Sequence, residues 1–368
     1  MTGVRSARPR GAADHLDRRR LLALGGGAAA AALLGAGGAV AQAPAPGLQF
    51  FRIATGPIGA TYFPVGALLE KVISAPPGAR PCDRGGSCGV AGMIAVAQAS
   101  GGSADNVALI RANGVESALV QADVAHWALT GTGPFAGKDP LGDLRAIAAL
   151  YLEAVHVVVR AESPIATIED LRGQRLSPGE EGSGTRLTVR ALLAAHGLGE
   201  SDVAMIPLRL RAAAEQLAAG TIDAFAMIGG TPVGMIAELA ERMPIRLVPV
   251  TAPVADGLVR GLLALSETTV AAGTYAGVPE TAAVGVGALW LVDADTSDEV
   301  VYGITRALWH PNSRKVLDAG HPRGRSIVLP AALTGLTVPL HPGALRYYRD
   351  VDLPGLAMLD AEADRRTQ

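Results

Sequence analysis

The sequence predicts an α/β fold with two similar lobes, and three observations support this prediction. Short apolar runs alternate with helical patterns along most of the chain, which is typical of lobes with largely parallel sheets. A strand, a glycine-containing turn and a helix follow one another both at 50–72 and at 174–196. A helix that ends at a glycine precedes an apolar strand both at 107–121 and at 212–230.

This repetition predicts a cleft between the lobes. Open α/β sheets bind ligands beyond the carboxyl ends of their strands. Two lobes that each place a glycine turn at that edge would face each other and close on a ligand through a hinge. We expect the first lobe to comprise 44–152 and 253–368, and the second lobe to comprise 153–252.

The first turn, 55–62, separates an apolar strand at 50–54 from a helix with apolar residues at helical spacing over 65–72. Backbone N–H groups at a helix N-terminus favour an anion, typically a carboxylate or a phosphate. The spacing G-x-x-G is neither a dinucleotide fingerprint nor a P-loop, and a plain strand-to-helix turn is the alternative. The candidate ligand-binding residues here are Thr55, Gly59, Thr61 and Tyr62.

The second turn, 179–186, precedes an apolar-faced helix at 187–196. Its candidates for backbone or hydroxyl contact with a ligand are Ser183, Gly184 and Thr185. The strand at 221–228 then opens into a second set of candidates, Gly229, Gly230 and Thr231. Arg186 has two interpretations of equal weight, a bidentate pair with a ligand carboxylate or a salt bridge to Glu180 or Glu181.

Several other polar residues have a structural interpretation beside the functional one. Gln121 ends an apolar strand on the expected cleft side, where it is either a ligand contact or a strand exit. Ser103 is a ligand contact or, more simply, a helix cap. Tyr151 and Glu153 lie near the predicted crossover between lobes, where hinge packing explains them equally well.

Residues 1–43 predict a targeting segment. Arg18, Arg19 and Arg20 precede an Ala-, Gly- and Leu-rich stretch over 21–40, and 41–43 reads Ala-Gln-Ala, a cleavage signal. Consecutive arginines followed by two leucines indicate the twin-arginine export route, with an uncleaved anchor as the alternative. No other stretch approaches 18 apolar residues, so we expect no membrane span in the mature chain and a periplasmic location.

The charge composition limits the classes of partner that the protein is expected to bind. The whole chain has a formal net charge of −2, and the targeting segment holds six arginines against two aspartates, so the mature chain is more acidic. This acidity argues against a nucleic-acid partner. No cofactor is indicated.

Cys82 and Cys88 enclose a short glycine-rich loop. In an oxidising compartment they most simply form one disulfide, and a metal site would need more ligands near by than the scattered histidines provide. We therefore predict a disulfide and no metal. Residues 85–89 also match the nucleophile elbow G-x-S-x-G, but prolines precede the match where that motif requires a strand.

Several motifs, in one order along nearly the whole mature chain, resemble those of the TAXI solute receptors of TRAP transporters. They lie at 55–64, 99–106, 120–124, 150–156, 182–185, 220–224 and 339–348. The resemblance implies a periplasmic receptor with a type II binding-protein fold. It also implies a glutamate-like or 2-oxoglutarate-like carboxylate as ligand and a sodium-driven TRAP permease as partner. Glu180, Glu181, Arg186 and the cysteine loop depart from the family pattern.

A second functional class is an exported α/β enzyme, for example a hydrolase. It would need a nucleophile beside a histidine with an orienting acid. The sequence shows no convincing set of this kind, so we expect a receptor that is not an enzyme.

Overall fold

The computed structural model of the protein describes residues 47–250 and 264–356. The predicted targeting segment and the start of the predicted return into the first lobe lie outside the described residues. The described strands are Gln49–Ala54 (β1), Ser74–Ala75 (β2), Val90–Ala91 (β3), Met93–Gln98 (β4), Ser117–Gln121 (β5), Leu144–Arg160 (β6), Arg175–Ser177 (β7), Ala204–Met205 (β8), Ala224–Gly229 (β9), Ile245–Leu247 (β10), Leu265–Val270 (β11) and Thr281–Asp293 (β12). The described helices are Tyr62–Ile73 (α1), Ser103–Arg111 (α2), Ala122–Thr130 (α3), Gly184–Ala195 (α4), Leu210–Ala218 (α5), Gly234–Arg242 (α6), Asp298–Leu308 (α7), Pro311–Gly320 (α8) and Pro342–Asp350 (α9).

Ten of these strands form one mixed sheet in the order β4-β1-β5-β12-β6-β9-β7-β8, with β10 paired to β6 and β11 to β12. The first lobe contributes β4, β1 and β5, which are parallel, and α1–α3. The second lobe contributes β9, β7 and β8, also parallel, and α4–α6. The α/β fold predicted from the alternation of strands and helices is confirmed.

Two long antiparallel strands, β6 and β12, join the lobes into a continuous sheet. β12 pairs with β5 on one side and with β6 on the other, and β6 continues into pairing with β9. β6 runs without a break through 151–153, near the predicted crossover between the lobes. Tyr151 and Glu153 are buried while Leu152 between them is 41% exposed, so the alternation of a strand is kept. The exact lobe boundaries stay predictions.

The helices bury the apolar faces that their spacing predicts. On α1, Val65, Leu68, Leu69 and Val72 are all buried, and they pack with β1 and with residues of α7–α9 in one apolar cluster. A separate cluster in the second lobe joins α5 and α6 to β9, with Leu217, Phe225 and Ile236 at or near zero exposure. Each lobe thereby holds its turns on a rigid layer of sheet and helix.

The cysteine loop forms the predicted disulfide between Cys82 and Cys88. It precedes β3, which pairs with β2 in a small separate sheet. Ser87, the serine of the G-x-S-x-G match, donates its hydroxyl to the carbonyl of Ser74. A 3₁₀ turn at Cys82–Arg84 stands where a nucleophile elbow would need a strand. Over 47–250 and 264–356, every helix is too short or too polar to cross a bilayer.

Candidate functional site

A cavity of about 40 Å³ lies where the carboxyl ends of β5, β7 and β9 meet the first turn. This is about three times the space that one water needs on the same measure, which suits a ligand of few heavy atoms. Its lining comes from both lobes and comprises Gly56, Pro57, Ala60, Thr61, Tyr62, Gly101, Gly102, Ser103, Gln121, Glu153, Ser177, Gly179, Glu180, Ser183, Gly184, Thr185, Leu208, Leu210, Ala213, Ala226, Met227 and Ile228.

Five helices begin at this cavity. The first residues of α1, α2, α4 and α5 line it, and they are Tyr62, Ser103, Gly184 and Leu210 respectively. The residue that precedes α3, Gln121, lines it as well. The first N–H groups of a helix lack partners within the helix, and the helix dipole places partial positive charge at that end. Because none of the described lysines or arginines lines the cavity, these backbone groups are the main source of positive potential that the described residues place there. The arrangement favours an anion.

A buried tyrosine–glutamate pair forms one wall. Tyr62 donates its hydroxyl to Glu153 Oε2 at 2.7 Å, and both side chains are almost fully buried. The pKa of Glu153 is raised to about 8, mainly by burial and to a lesser extent by the nearby carboxylate of Asp123, while the hydrogen bond from Tyr62 opposes both. At neutral pH Glu153 is therefore mostly a neutral carboxylic acid, which can donate a hydrogen bond to a ligand.

Two lining side chains hold buried polar atoms without a partner among the described residues. The backbone N–H of Gln121 donates to Ser103 Oγ at 3.0 Å, and Ser103 donates to Gln121 Oε1 at 3.3 Å. This leaves Nε2 of Gln121 as a buried donor with no acceptor, and Oγ of Ser177 is likewise unpaired. Buried polar atoms in native proteins are nearly always paired, so both atoms are available to pair with a ligand in the cavity.

Asp123 lies directly behind the cavity and joins the lobes. Its Oδ1 accepts from the backbone N–H of Val124 at 2.8 Å, and its Oδ2 accepts from Thr188 of α4 at 2.5 Å. Burial raises the pKa of Asp123 to about 6, against the effect of these two hydrogen bonds. A first-lobe carboxyl is thereby held by a second-lobe hydroxyl.

The lobes also touch at the rims of the cavity. Thr61 donates to the carbonyl of Gly230 at 2.7 Å, and the N–H of Met235 donates to the carbonyl of Gly59 at 3.0 Å. On the opposite rim the N–H of Asp105 donates to the carbonyl of Gly182 at 3.0 Å. These contacts describe a closed cleft.

A model of the NMT1-like family matches residues 53–351. The chain belongs to the NMT1-like family. The role predicted from the sequence, that of a periplasmic solute-binding protein, stays a prediction. The TAXI subfamily, the twin-arginine route and the carboxylate ligand stay predictions.

Solved structures of similar proteins agree only in outline. The periplasmic aliphatic sulphonate binding protein SsuA of Escherichia coli is 14% identical with a TM-score of 0.44, covering 82% of this chain and 83% of its own. The periplasmic binding protein BugD is 15% identical with a TM-score of 0.47, covering 86% and 97%. PhnD1 of Prochlorococcus marinus, in complex with methylphosphonate, is 12% identical with a TM-score of 0.47, covering 82% and 98%. These values are too low to assign a ligand to this NMT1-like protein.

The structure brings seven of the residues predicted from the sequence to the cavity. They are Thr61, Tyr62, Ser103, Gln121, Ser183, Gly184 and Thr185. Ser183 also caps α4, accepting from the N–H of Arg186 at 3.2 Å. Ser103 is the first residue of α2 and not its cap, which frees its hydroxyl for Gln121.

Six predicted residues lie outside the lining, namely Thr55, Gly59, Arg186, Gly229, Gly230 and Thr231. Thr55 donates its hydroxyl to the carbonyl of Gln98 at 2.6 Å and so ties β1 to β4. Gly59 adopts a positive φ of 94°, which turns its carbonyl towards α6.

The other four outlying residues have partners within the protein. Arg186 forms an ion pair with Glu181 on the outer side of α4, one of the two interpretations that the sequence left open. Arg323 Nη2 donates to Thr231 Oγ1 at 2.7 Å. A Cβ atom would lie 3.0 Å from Val233 Cγ2 at Gly229 and 2.7 Å from Arg323 Cγ at Gly230, so both positions are closely packed.

Sequence reasoning missed several lining residues. Ser177 ends β7, so the rule that places ligands at strand ends could have found it. The sequence left the role of Glu153 open between hinge packing and ligand contact, because that role depends on Tyr62, 91 residues away. Leu208, Leu210 and Met227 carry no sequence signal, because apolar residues at such positions usually belong to the core.

Proposed function

We propose that this protein is a receptor that binds a small carboxylate in the cavity between its lobes and delivers it to a membrane permease. The observation that supports the proposal most strongly is the convergence of five helix N-termini on a cavity whose lining, over 47–250 and 264–356, contains no lysine or arginine. A carboxylate accepts hydrogen bonds from such N–H groups without needing a charged partner. A receptor also benefits from this arrangement, because a ligand held without ion pairs can leave again.

The side chains divide the cavity into two kinds of donor. The amide of Gln121 and the first N–H groups of α4 at Gly184 suit a carboxylate. The acid of Glu153, supported by Tyr62, suits a second acceptor such as a carboxyl or a 2-oxo oxygen. A 2-oxo acid or a dicarboxylate uses both kinds of donor. An amino acid would instead require Glu153 to be ionised beside its ammonium group.

Closure is the step that a permease can recognise. Thr61 with Gly230, Asp105 with Gly182 and Asp123 with Thr188 join the lobes in the closed form. A ligand that contacts both lobes stabilises this form by its differential affinity. The closed surface then differs from the open one, which lets the membrane partner select the loaded receptor.

We propose a TRAP-type permease as that partner, on the basis of the motifs at 55–64, 99–106 and 182–185. The test is uptake of labelled ligand by proteoliposomes that hold a candidate permease together with the purified receptor. A sodium gradient should drive uptake without ATP. Uptake that requires ATP hydrolysis, and is indifferent to sodium, would show that the partner belongs to another transporter class.

The exported-hydrolase alternative gains no support from the geometry. Ser87 donates its hydroxyl to the carbonyl of Ser74, and no histidine in the part of the chain that the structure describes lines the cavity. His156 is fully buried between the carbonyl of Met227 and the hydroxyl of Tyr275. A nucleophile and base within reach of each other are what a hydrolytic site requires.

The ligand class is tested by a thermal-shift panel of dicarboxylates, 2-oxo acids, amino acids, sulfonates and phosphonates. A ligand that binds only the folded state adds about 2.7 kcal/mol at a hundredfold excess over its Kd. We expect a shift with a small carboxylate, unchanged ligand after incubation, and loss of the shift in Gln121→Leu. Gln98→Leu, at an exposed position, is the matched control. A shift with sulfonates or phosphonates alone would contradict the carboxylate assignment.

A further inference from the structure

The start of α8 lies against the disulfide, far from it in sequence. His310 Nε2 is 3.6 Å from Cys82 Sγ, across 228 positions of chain. Asn312 Nδ2 is 3.4 Å from Cys88 Sγ. Cys82, Cys88 and His310 are all partly exposed. His310 thus lies beside Cys82, while Asn312 lies nearer to Cys88 than to Cys82 Sγ, which is 3.9 Å from its Nδ2.

The helix cap fixes the role of the histidine ring. The backbone N–H of Asn312 donates to His310 Nδ1 at 3.1 Å, so Nδ1 acts as an acceptor. A neutral imidazole with an accepting Nδ1 carries its proton on Nε2. The nitrogen that faces Cys82 is therefore an N–H donor. Although the three ligand atoms of Cys82, Cys88 and His310 lie within 4.8 Å of one another, this tautomer gives Nε2 no lone pair for a metal.

The loop keeps its shape through bonds other than the disulfide. The N–H of Gly85 donates to the carbonyl of Cys82 at 3.1 Å, and that of Gly86 donates to the carbonyl of Pro81 at 2.9 Å. Ser87 is tied to Ser74 by its hydroxyl. Breaking the S–S bond leaves these contacts in place, so Cys82 stays beside His310 after reduction.

We propose that Cys82–Cys88 is a thiol–disulfide exchange site in which a low-molecular-weight thiolate attacks Cys88 and Cys82 is released as the leaving group. The new bond joins the incoming sulfur to Cys88 Sγ. The S–S bond breaks, and its electron pair goes to Cys82 Sγ as a thiolate that accepts from His310 Nε2–H. A second thiolate then attacks the incoming sulfur, giving a small-molecule disulfide and a Cys88 thiolate. Two external thiols are oxidised as the protein disulfide is reduced.

The direction of attack follows from leaving-group stability. Exchange is faster when the departing thiolate is better stabilised. His310 Nε2–H lies next to Cys82, and a donor of this kind beside a cysteine favours its thiolate. Cys88 faces the amide of Asn312, which is exposed and whose contact with sulfur is a weaker one. The asymmetry points to Cys88 as the sulfur that receives the mixed disulfide.

The first test locates the mixed disulfide. The purified protein is incubated briefly with glutathione, and in a parallel arm with 2-mercaptoethanol. It is then quenched with acid and digested for peptide mass spectrometry. We expect the adduct predominantly on Cys88 in both arms. An adduct on Cys82, an equal distribution, or no exchange under conditions that reduce an unstructured disulfide peptide would overturn the proposal.

The second test measures the influence of His310. Lowering a thiol pKa by one unit raises its thiolate fraction about tenfold at neutral pH, and weaker nucleophilicity removes about a factor of three. In the reduced protein we therefore expect iodoacetamide to modify Cys82 at least about threefold faster than Cys88 at pH 7. His310→Ser keeps a capping side chain and should bring the ratio close to one.

His321→Ser is the matched control, because His321 also caps a helix through Nδ1, at 3.1 Å from the N–H of Arg323. Its ratio should equal that of the unmodified protein. A ratio unchanged in His310→Ser, or lowered equally by both substitutions, would show that His310 has no specific effect on Cys82.

Discussion

The first and the second glycine turn follow the same pattern in the sequence, but they reach the cavity in different ways. The first turn contributes side-chain hydrogen bonds across the cleft: Thr61 donates to the carbonyl of Gly230, and Tyr62 donates to Glu153. The second turn acts through its backbone. Gly184 lies so close to Gln121 that a Cβ atom there would be 1.7 Å from Gln121 Oε1. In both lobes the turn at a strand end determines where the site lies, and the residues after the turn determine how the site closes.

The largest expected effect is on the backbone approach of the second turn. Gly184→Ala places a methyl group against Gln121 Oε1 and 2.8 Å from Ser103 Oγ. Overpacking of this kind costs about 1–3 kcal/mol, so we expect the Kd of the carboxylate found in the panel to rise about 10- to 100-fold. Alanine is a better helix former than glycine, so the α4 helix itself is not weakened.

Isothermal titration measures this change, and Gly142→Ala is its control, because a Cβ at Gly142 meets nothing within 4 Å. Equal affinity in Gly184→Ala and in the unmodified protein would show that the second turn does not approach Gln121 in the bound form.

The next effect is the pH dependence of stability. It distinguishes the two turns, because only the first turn is hydrogen-bonded to a buried acid with a pKa near 8. The folded pKa of Glu153 lies above its ordinary value of 4.5. The folded state therefore binds more protons than the unfolded state between about pH 4.5 and pH 8, and stability falls as the pH rises through that window. Asp123, with a pKa of about 6, has the same sign at lower pH, while His156, with a pKa lowered to about 4, has the opposite sign.

The range from pH 6.5 to pH 8 therefore reports mainly on Glu153. One group can contribute about 1.4 kcal/mol per pH unit, so we expect the unfolding free energy to fall by about 2 kcal/mol over this range. Glu153→Gln stays neutral and should flatten the slope. Urea unfolding at three pH values measures it. An equal slope in the variant would mean that Glu153 is ionised in the folded protein near neutral pH.

A smaller effect tests the side-chain contact of the first turn. Thr61→Val keeps the shape of the side chain and removes the hydrogen bond to the carbonyl of Gly230. Loss of one buried hydrogen bond costs about 1 kcal/mol, which predicts about a fivefold rise in the Kd of the same carboxylate. Thr130→Val is the control, because the exposed Thr130 bonds only to groups near by in sequence, among them the carbonyl of His126 at 2.8 Å. A rise of the same size in both variants would remove Thr61 from the closing contacts.

How much of this the sequence could predict depends on the distance between the partners. Strand-turn-helix order predicted the α/β fold and both turns, because periodicity and glycine positions are local signals. The same order predicted Gln121 and Ser183 as cleft residues, and both line the cavity. The Tyr62–Glu153 and Thr61–Gly230 pairs join residues 91 and 169 positions apart, which no local pattern encodes.

The disulfide region contains one contact that the sequence could predict and one that it could not. Two cysteines in a short loop predicted their own pairing, and the pair is present. The same reasoning dismissed the histidines as scattered, because His310 reaches Cys82 only through the packing of α8 on the loop. A residue on a predicted face can be inferred from spacing, whereas its partner from another element requires the tertiary structure.

The smallest expected effect decides the interpretation of Arg186 that the sequence left open. Arg186 follows the second turn directly, yet it pairs with Glu181 outside the cavity lining. Exposed ion pairs contribute little, so Arg186→Gln should change the unfolding free energy by less than about 0.5 kcal/mol and the Kd by less than about twofold. Titration of the panel carboxylate at low and at physiological salt measures both a direct contact between Arg186 and the ligand and a long-range electrostatic attraction between them. A Kd raised tenfold at both salt concentrations would place Arg186 on the ligand, and would mean that the second turn also acts through a side chain.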